Sequence, residues 1–384
     1  MELLKTFIIP KELNPIKFDE ITNSLLNAPN VMPRLSSKGI KFGTALGLEH
    51  QIILLLASWY RSNNSSKTIR TYVDETSNTG FEDLCQSMLG MAYLTLCDNI
   101  LSRNGQQKIS KSEAFKSATE SIEKLQTYNF KEAFKGRNVF FPCLKPSKGN
   151  GKISPLYRDG KVASRGEFKY IFLESLKALL SPKELNSLNN TFFINMGSCI
   201  YELFKNTEDH SLKDEVGNYY LKSVRGISLS VSTYKQSDLH SRLGDNHKDY
   251  INSLYTNKEN RLITFLEVSI VDTGIGYSKS WLRYNNKGFE YIDINAEVET
   301  VLTCFKKHRT TRASSSAGSG LSNVIDCLTD LNAGFILRTG RIQLSCFTRE
   351  NTIIVDEKSI KIAKNELVGT SFTIVVPLIF KEEC

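Results

Sequence analysis

The chain has no Cys-x-x-Cys pair and no apolar run of about 18 residues. Its first residues, Met1-Glu2-Leu3-Leu4-Lys5-Thr6, carry no cationic segment ahead of an apolar stretch. The missing pair argues against both a zinc site and a disulfide framework, so the eight cysteines, at 85, 97, 143, 199, 304, 327, 346 and 384, are expected to be reduced and buried. The other two absences point to a soluble, cytoplasmic protein with no membrane partner. Internal repeats are lacking too. "GNGK" at 149–152 has neither the preceding glycine frame nor the following Ser/Thr of a phosphate loop.

What is present is ordinary globular composition: 384 residues, 40% hydrophobic and 23% charged, enough for two or three domains. Lys and Arg number 49 against 41 acidic residues, a net +8 that favours anionic partners without naming one. Basic groupings occur only at Lys145 to Lys152 and at Lys306-Lys307-His308-Arg309 with Arg312. A nucleic-acid partner therefore stays an open alternative that no concentrated basic element supports.

Residues 38–102 read as strand, helix, strand, helix: Gly39 to Phe42, "LGLEHQIILLLASWYRS", "KTIRTYV", and "FEDLCQSMLGMAYLTLCDNIL" as one long helix. This order resembles the STAS-type regulatory domains that precede nucleotide-binding modules in bacterial proteins. His50 is expected on a helix surface, since it lacks the acidic residue and proline that follow a phosphoacceptor histidine. A helix near 110–127 and the Gly-, Lys-, Ser- and Pro-rich stretch "KPSKGNGKISPLYRDGKVASRG" complete a first part, read as a small α/β regulatory domain over 1–130 and a linker with a connecting helix over 131–180.

From 181 to 384 the text is α+β. Ser181, Pro182 and Glu184 form a capping signal, which predicts a long helix from 182 to about 206. Strands follow at 225–234, 261–271, 334–339, 341–348 and 370–378, with a helix at 319–331. The expectation is a mixed sheet covered by helices on one face.

Four features carry chemistry. Glu202 and Asn206, four apart on the long helix, share one face beside the apolar Ile200, Leu203 and Phe204. Asp272-Thr273-Gly274-Ile275-Gly276 closes a β-branched strand; it is either a tight turn or a backbone that admits a planar ligand, with the carboxylate accepting from an exocyclic amine. Gly318-Ser319-Gly320-Leu321 opens an amphipathic helix, either a flexible loop or a set of free N–H groups suited to an anion. Gly369-Thr370 enters the last strand.

In this order the four features resemble the GHKL ATPase superfamily, which takes in gyrase B subunits, ninety-kilodalton heat-shock chaperones, MutL proteins and sensor histidine kinases. The resemblance covers roughly 180–380, with 66 residues from Asn206 to Asp272 and 46 from Asp272 to Gly318. It implies a Bergerat-type two-layer sandwich that binds ATP and Mg²⁺. Asn206 would ligate the metal, Glu202 would activate the attacking water, and Asp272, helped by Thr370, would read the adenine amine. Gly274 and Gly276 would make room for the base, while Gly318, Ser319, Gly320 and Leu321 would hold the phosphates. A lid over about 277–317, with Trp281, Tyr284 and Tyr291, would bring Arg309 or Arg312 to the γ-phosphate. Histidine kinases usually lack a carboxylate at the Glu202 position, so its presence leans toward hydrolysis. The expected function is a slow ATPase, a nucleotide-driven switch in a bacterial regulatory or defence system whose N-terminal domain recruits a protein partner. A homodimer, a histidine-kinase-like or anti-sigma-type protein kinase, and a non-catalytic ATP sensor stay open.

Overall fold

The computed structural model describes residues 5–10, 13–28, 30–36, 46–62, 66–73, 79–145, 151–243, 247–255, 262–284, 292–306 and 320–378. The first part forms β1 (Lys5–Ile9), α1 (Pro15–Asn27), β2 (Val31–Leu35), α2 (Leu48–Arg61), β3 (Thr68–Arg70), α3 (Thr79–Cys85), α4 (Met88–Thr95), β4 (Asn99–Leu101) and β5 (Lys108–Ile109). It continues through α5 (Lys111–Ala114), α6 (Lys116–Gln126), α7 (Phe130–Ala133), β6 (Asn138–Lys145), β7 (Tyr157–Arg158), β8 (Lys161–Val162), α8 (Arg165–Leu179) and α9 (Pro182–Asn186). The second part holds α10 (Asn190–His210), β9 (Ser223–Tyr234), α11 (Gln236–Leu243), α12 (Lys248–Leu254) and β10 (Ile263–Asp272). It closes with α13 (Gly276–Tyr284), α14 (Ile294–Cys304), α15 (Gly320–Asp330), β11 (Gly334–Phe347) and β12 (Ile360–Leu378).

The α+β class holds. A five-stranded sheet in the order β11-β12-β10-β9-β6 is its centre. All four of its ladders are antiparallel, where a mixed sheet was expected. The difference follows from the connections: spatial neighbours run in opposite directions, so no parallel crossover is needed. Its edge strand β6 comes from residues 138–145, inside the stretch expected to be a linker.

Side chains on a strand alternate between faces, so the register sorts the two sides of the sheet. Arg225 on β9 lies opposite Asp272 on β10, which lies opposite Thr370 on β12. On that side Arg225 pairs with Glu208 of α10, and α8 and α15 pack against α10. Gly226, one residue on, meets Met88 of α4 from the other side, and Ser269 bonds Thr373 there, beneath α2. Helices thus cover both faces, three layers in place of two. The reason is hydrophobic: Ile52, Ile53, Leu54 and Leu55 on α2 are fully buried, each worth about 1.5–3 kcal/mol. One apolar core runs from Ile9 to Leu378, so the N-terminal elements share it with the central sheet.

Several elements differ from the sequence expectation. Ser181 and Glu184 do form the expected capping box, but α9 stops at Asn186, and Asn189 starts α10 afresh by accepting from the Phe192 N–H at 2.8 Å. A competing cap, typically worth about 1 kcal/mol, splits one expected helix into two. Ser187 ends α9, and Asn189 sets the start of the helix that carries Glu202. The apolar run 81–101 is likewise divided, because Ser87 caps α4 through the Gly90 N–H at 3.0 Å, and its end, Asn99–Leu101, is a strand. The strands expected at 334–339 and 341–348 are one strand with a register shift around Gly340. His50 is buried inside the helix layer, not at the surface, and neither ring nitrogen has a hydrogen-bond partner among the described residues. The strand expected at Gly39 to Phe42 lies outside the described residues.

Candidate functional site

β10 delivers Asp272 to the end of the central strand. Its carboxyl is 7% exposed; Oδ1 accepts the Gly274 N–H at 2.8 Å, and Oδ2 has no hydrogen bond among the described residues. Burial pushes the carboxyl up to about 6, against the Gly274 N–H and the nearby Arg225 and Arg61 cations. Thr273 ties the turn to β9, its Oγ1 accepting the Val224 N–H at 2.9 Å.

The glycines of the motif answer to protein contacts. A Cβ on Gly274 would lie 2.5 Å from Ser211 Cα, so this glycine lets the end of α10 press on the turn. Gly276 has φ of +79°, and a Cβ there would lie 2.8 Å from Thr339 Oγ1. Thr339 Oγ1 accepts the Tyr277 N–H at 3.0 Å and stands 3.4 Å from Thr370 Oγ1. Thr370 lies in the interior of β12, which begins at Ile360, and is not a strand entrance. Its neighbour Gly369, with φ of +83°, leaves space for the Asp272 carbonyl, which a Cβ would approach to 2.1 Å.

α10 links this turn to a second group. Glu202, 8% exposed, is ion-paired through Oε1 with Arg165 at the start of α8, and its Oε2 lies 3.2 Å from where a Gly320 Cβ would stand. The carboxylate therefore faces the first turn of α15, the positive end of that helix. Asn206, partly buried, is one turn further along α10, and Ser211 five residues beyond it. From Glu202 to Ser211 the helix rises roughly 13 Å. Leu321 is partly buried against the main core.

The structure thus gathers Asp272, Gly274, Gly276 and Thr370 at one end of α10, and Glu202 with Gly320 toward the other. Arg309, Arg312, Gly318 and Ser319 lie outside the described residues, as does Tyr291. Of the lid, α13 and α14 are described, with Trp281 and Tyr284 on α13. Among the described residues no group of three or more His, Cys, Asp or Glu is placed to hold a metal ion.

Two cations escaped the sequence reading. Arg165 stood in the supposed linker, although Ser164 and Glu167 form a capping box that marks its helix. Arg61, from α2, donates through Nη1 to the Gly274 carbonyl at 3.3 Å and lies over the Tyr220 ring, 3.5 Å from its centroid. Nothing local in the sequence signals that reach.

No family model matches the chain, and a search of curated proteins returns no match.

Proposed function

We propose that this site binds Mg·ATP and hydrolyses it slowly, as a nucleotide-driven conformational switch. Asp272 carries the reading: a desolvated carboxyl with one oxygen bonded and the other without a hydrogen bond among the described residues suits the exocyclic amine of adenine. Thr370, opposite it, supplies a hydroxyl to the same edge.

The span along α10 suits an extended triphosphate. Asn206 would hold Mg²⁺ by its amide oxygen, and the ion would supply charge neutralisation at the phosphates. The first N–H groups of α15, at Gly320 and Leu321, would hold phosphate oxygens. Arg165 anchors Glu202 through Oε1, and Oε2, on the side of Gly320, would act as the base. It takes a proton from water as the water oxygen attacks the terminal phosphorus and ADP departs. Arg61 joins the N-terminal region to the Gly274 turn, which offers a bound protein partner a route to the nucleotide.

Calorimetric titration of the full chain with Mg·ATP tests the reading. Asp272→Asn should weaken binding about 10- to 100-fold, the loss of one charged hydrogen bond, and Glu202→Ala should abolish phosphate release while sparing binding. Equal affinity in Asp272→Asn, or undiminished turnover in Glu202→Ala, overturns it. Label retained on protein in place of free phosphate would indicate transfer to a side chain instead of hydrolysis.

A further inference from the structure

α10 and α15 meet through more than Glu202 and Gly320. Cys199 sits on α10, three residues before Glu202, so it emerges on the same side of the helix. Its Sγ lies 4.0 Å from the Val324 carbonyl of α15. A helical side chain leans over the turn that precedes it, which brings Cys327 to that same carbonyl. Both are free thiols, on two helices packed against each other.

We propose that Cys199 and Cys327 are an oxidation site: a hydroperoxide converts them to a disulfide that staples α15 to α10. The inference needs only the packing of these two helices and stands whether or not the site takes a nucleotide.

Their environments divide the labour. Cys327 is partly exposed, so it is the sulfur that meets the oxidant. Cys199 is buried. The other partly exposed thiol described, Cys304, is pushed by desolvation up to about 12 and stays inert. In the first step the Cys327 sulfur attacks the peroxide: an S–O bond forms, the O–O bond breaks, and the departing oxygen leaves as water. Next the Cys199 sulfur displaces the sulfenic oxygen: S–S forms, S–O breaks, and the Cys199 proton leaves with that oxygen as a second water. Two thiols and one hydrogen peroxide give one disulfide and two waters.

The test treats the folded full-length chain with hydrogen peroxide, alkylates the remaining thiols, and maps peptides by mass. A linked 199–327 peptide pair is expected, with two fewer titratable thiols in urea and a higher unfolding midpoint. In Cys199→Ala the link disappears and Cys327 is trapped by dimedone as sulfenic acid; Cys327→Ser leaves residue 199 a thiol. Overoxidation of Cys327 to the same extent in the wild type and in Cys199→Ala, with no linked peptide, overturns the proposal. So does reaction at Cys304 with Cys327 untouched.

Discussion

On the side of β10 that carries Asp272, buried polar groups are mostly paired; in the helix layer on the opposite side, His50 is held neutral and Glu49 is pushed toward its neutral form. Arg225, 2% exposed, holds Glu208 at 2.6 Å, and Tyr157 Oη donates to the same carboxylate oxygen at 2.6 Å. Across the sheet, burial pushes Glu49 up to about 7 and His50 down to about 4, each toward its uncharged form. Taking a charge out of water is tolerable with an ion-pair partner in place; among the described residues His50 has none and Glu49 has only the Leu89 N–H at 3.4 Å, so desolvation dominates. Asp272 belongs to the paired side yet behaves partly like the neutral one, which is consistent with the binding role proposed for it.

Removing a partner on the paired side should have the largest effect. Arg225→Met leaves Glu208 without its closest cation and is expected to destabilise by about 3–5 kcal/mol. Arg225→Met with Glu208→Gln should recover much of that loss in urea unfolding. Recovery of nothing would mean that packing of the arginine, not its charge, matters.

Asp272 comes next. Its folded pKa, about 6, lies above the ordinary 3.8, so the native state holds more protons between these values. Its cost is absent below about pH 4, grows up to pH 6 and is constant above. Asp272→Asn should therefore stabilise the fold at pH 7.5 by roughly 3 kcal/mol while weakening ATP, and the two proteins should converge near pH 4. Nucleotide affinity of the wild type should fall as pH drops below 6, and that of the variant should stay level. A variant less stable at pH 7.5 would assign the carboxylate a structural role.

The neutral side gives the smallest change. His50 has its folded pKa below the ordinary 6.5, so its unfolded form takes up protons first and the wild type loses stability as pH falls from 6.5 to 4. His50→Leu should remove that loss, about 2 kcal/mol at pH 5, with little change at pH 8. Thermal unfolding of the two proteins at both pH values checks it; parallel shifts would show that the ring is not desolvated.

Much of the site was legible in short spans. Glu202 and Asn206 share a face by helical period, Asp272 ends a β-branched run, and Gly320 opens an amphipathic helix; all three readings match the elements observed. The glycines were harder, because Gly274 and Gly369 are explained by what touches them, Ser211 and the Asp272 carbonyl, far away in the chain. Arg61 was missed for the same reason, whereas Arg165 had a local signal in the Ser164 and Glu167 capping box that was not read.

The sequence by itself determined the α+β class and the helix start at Ser181, because caps and periodicity act within a few residues. Tertiary structure alone decided that residues 138–145 join the central sheet, that α2 and α4 close its second face, and that Arg61 reaches the Gly274 turn. Those outcomes depend on which apolar faces find each other, and burial is settled between segments distant in the chain.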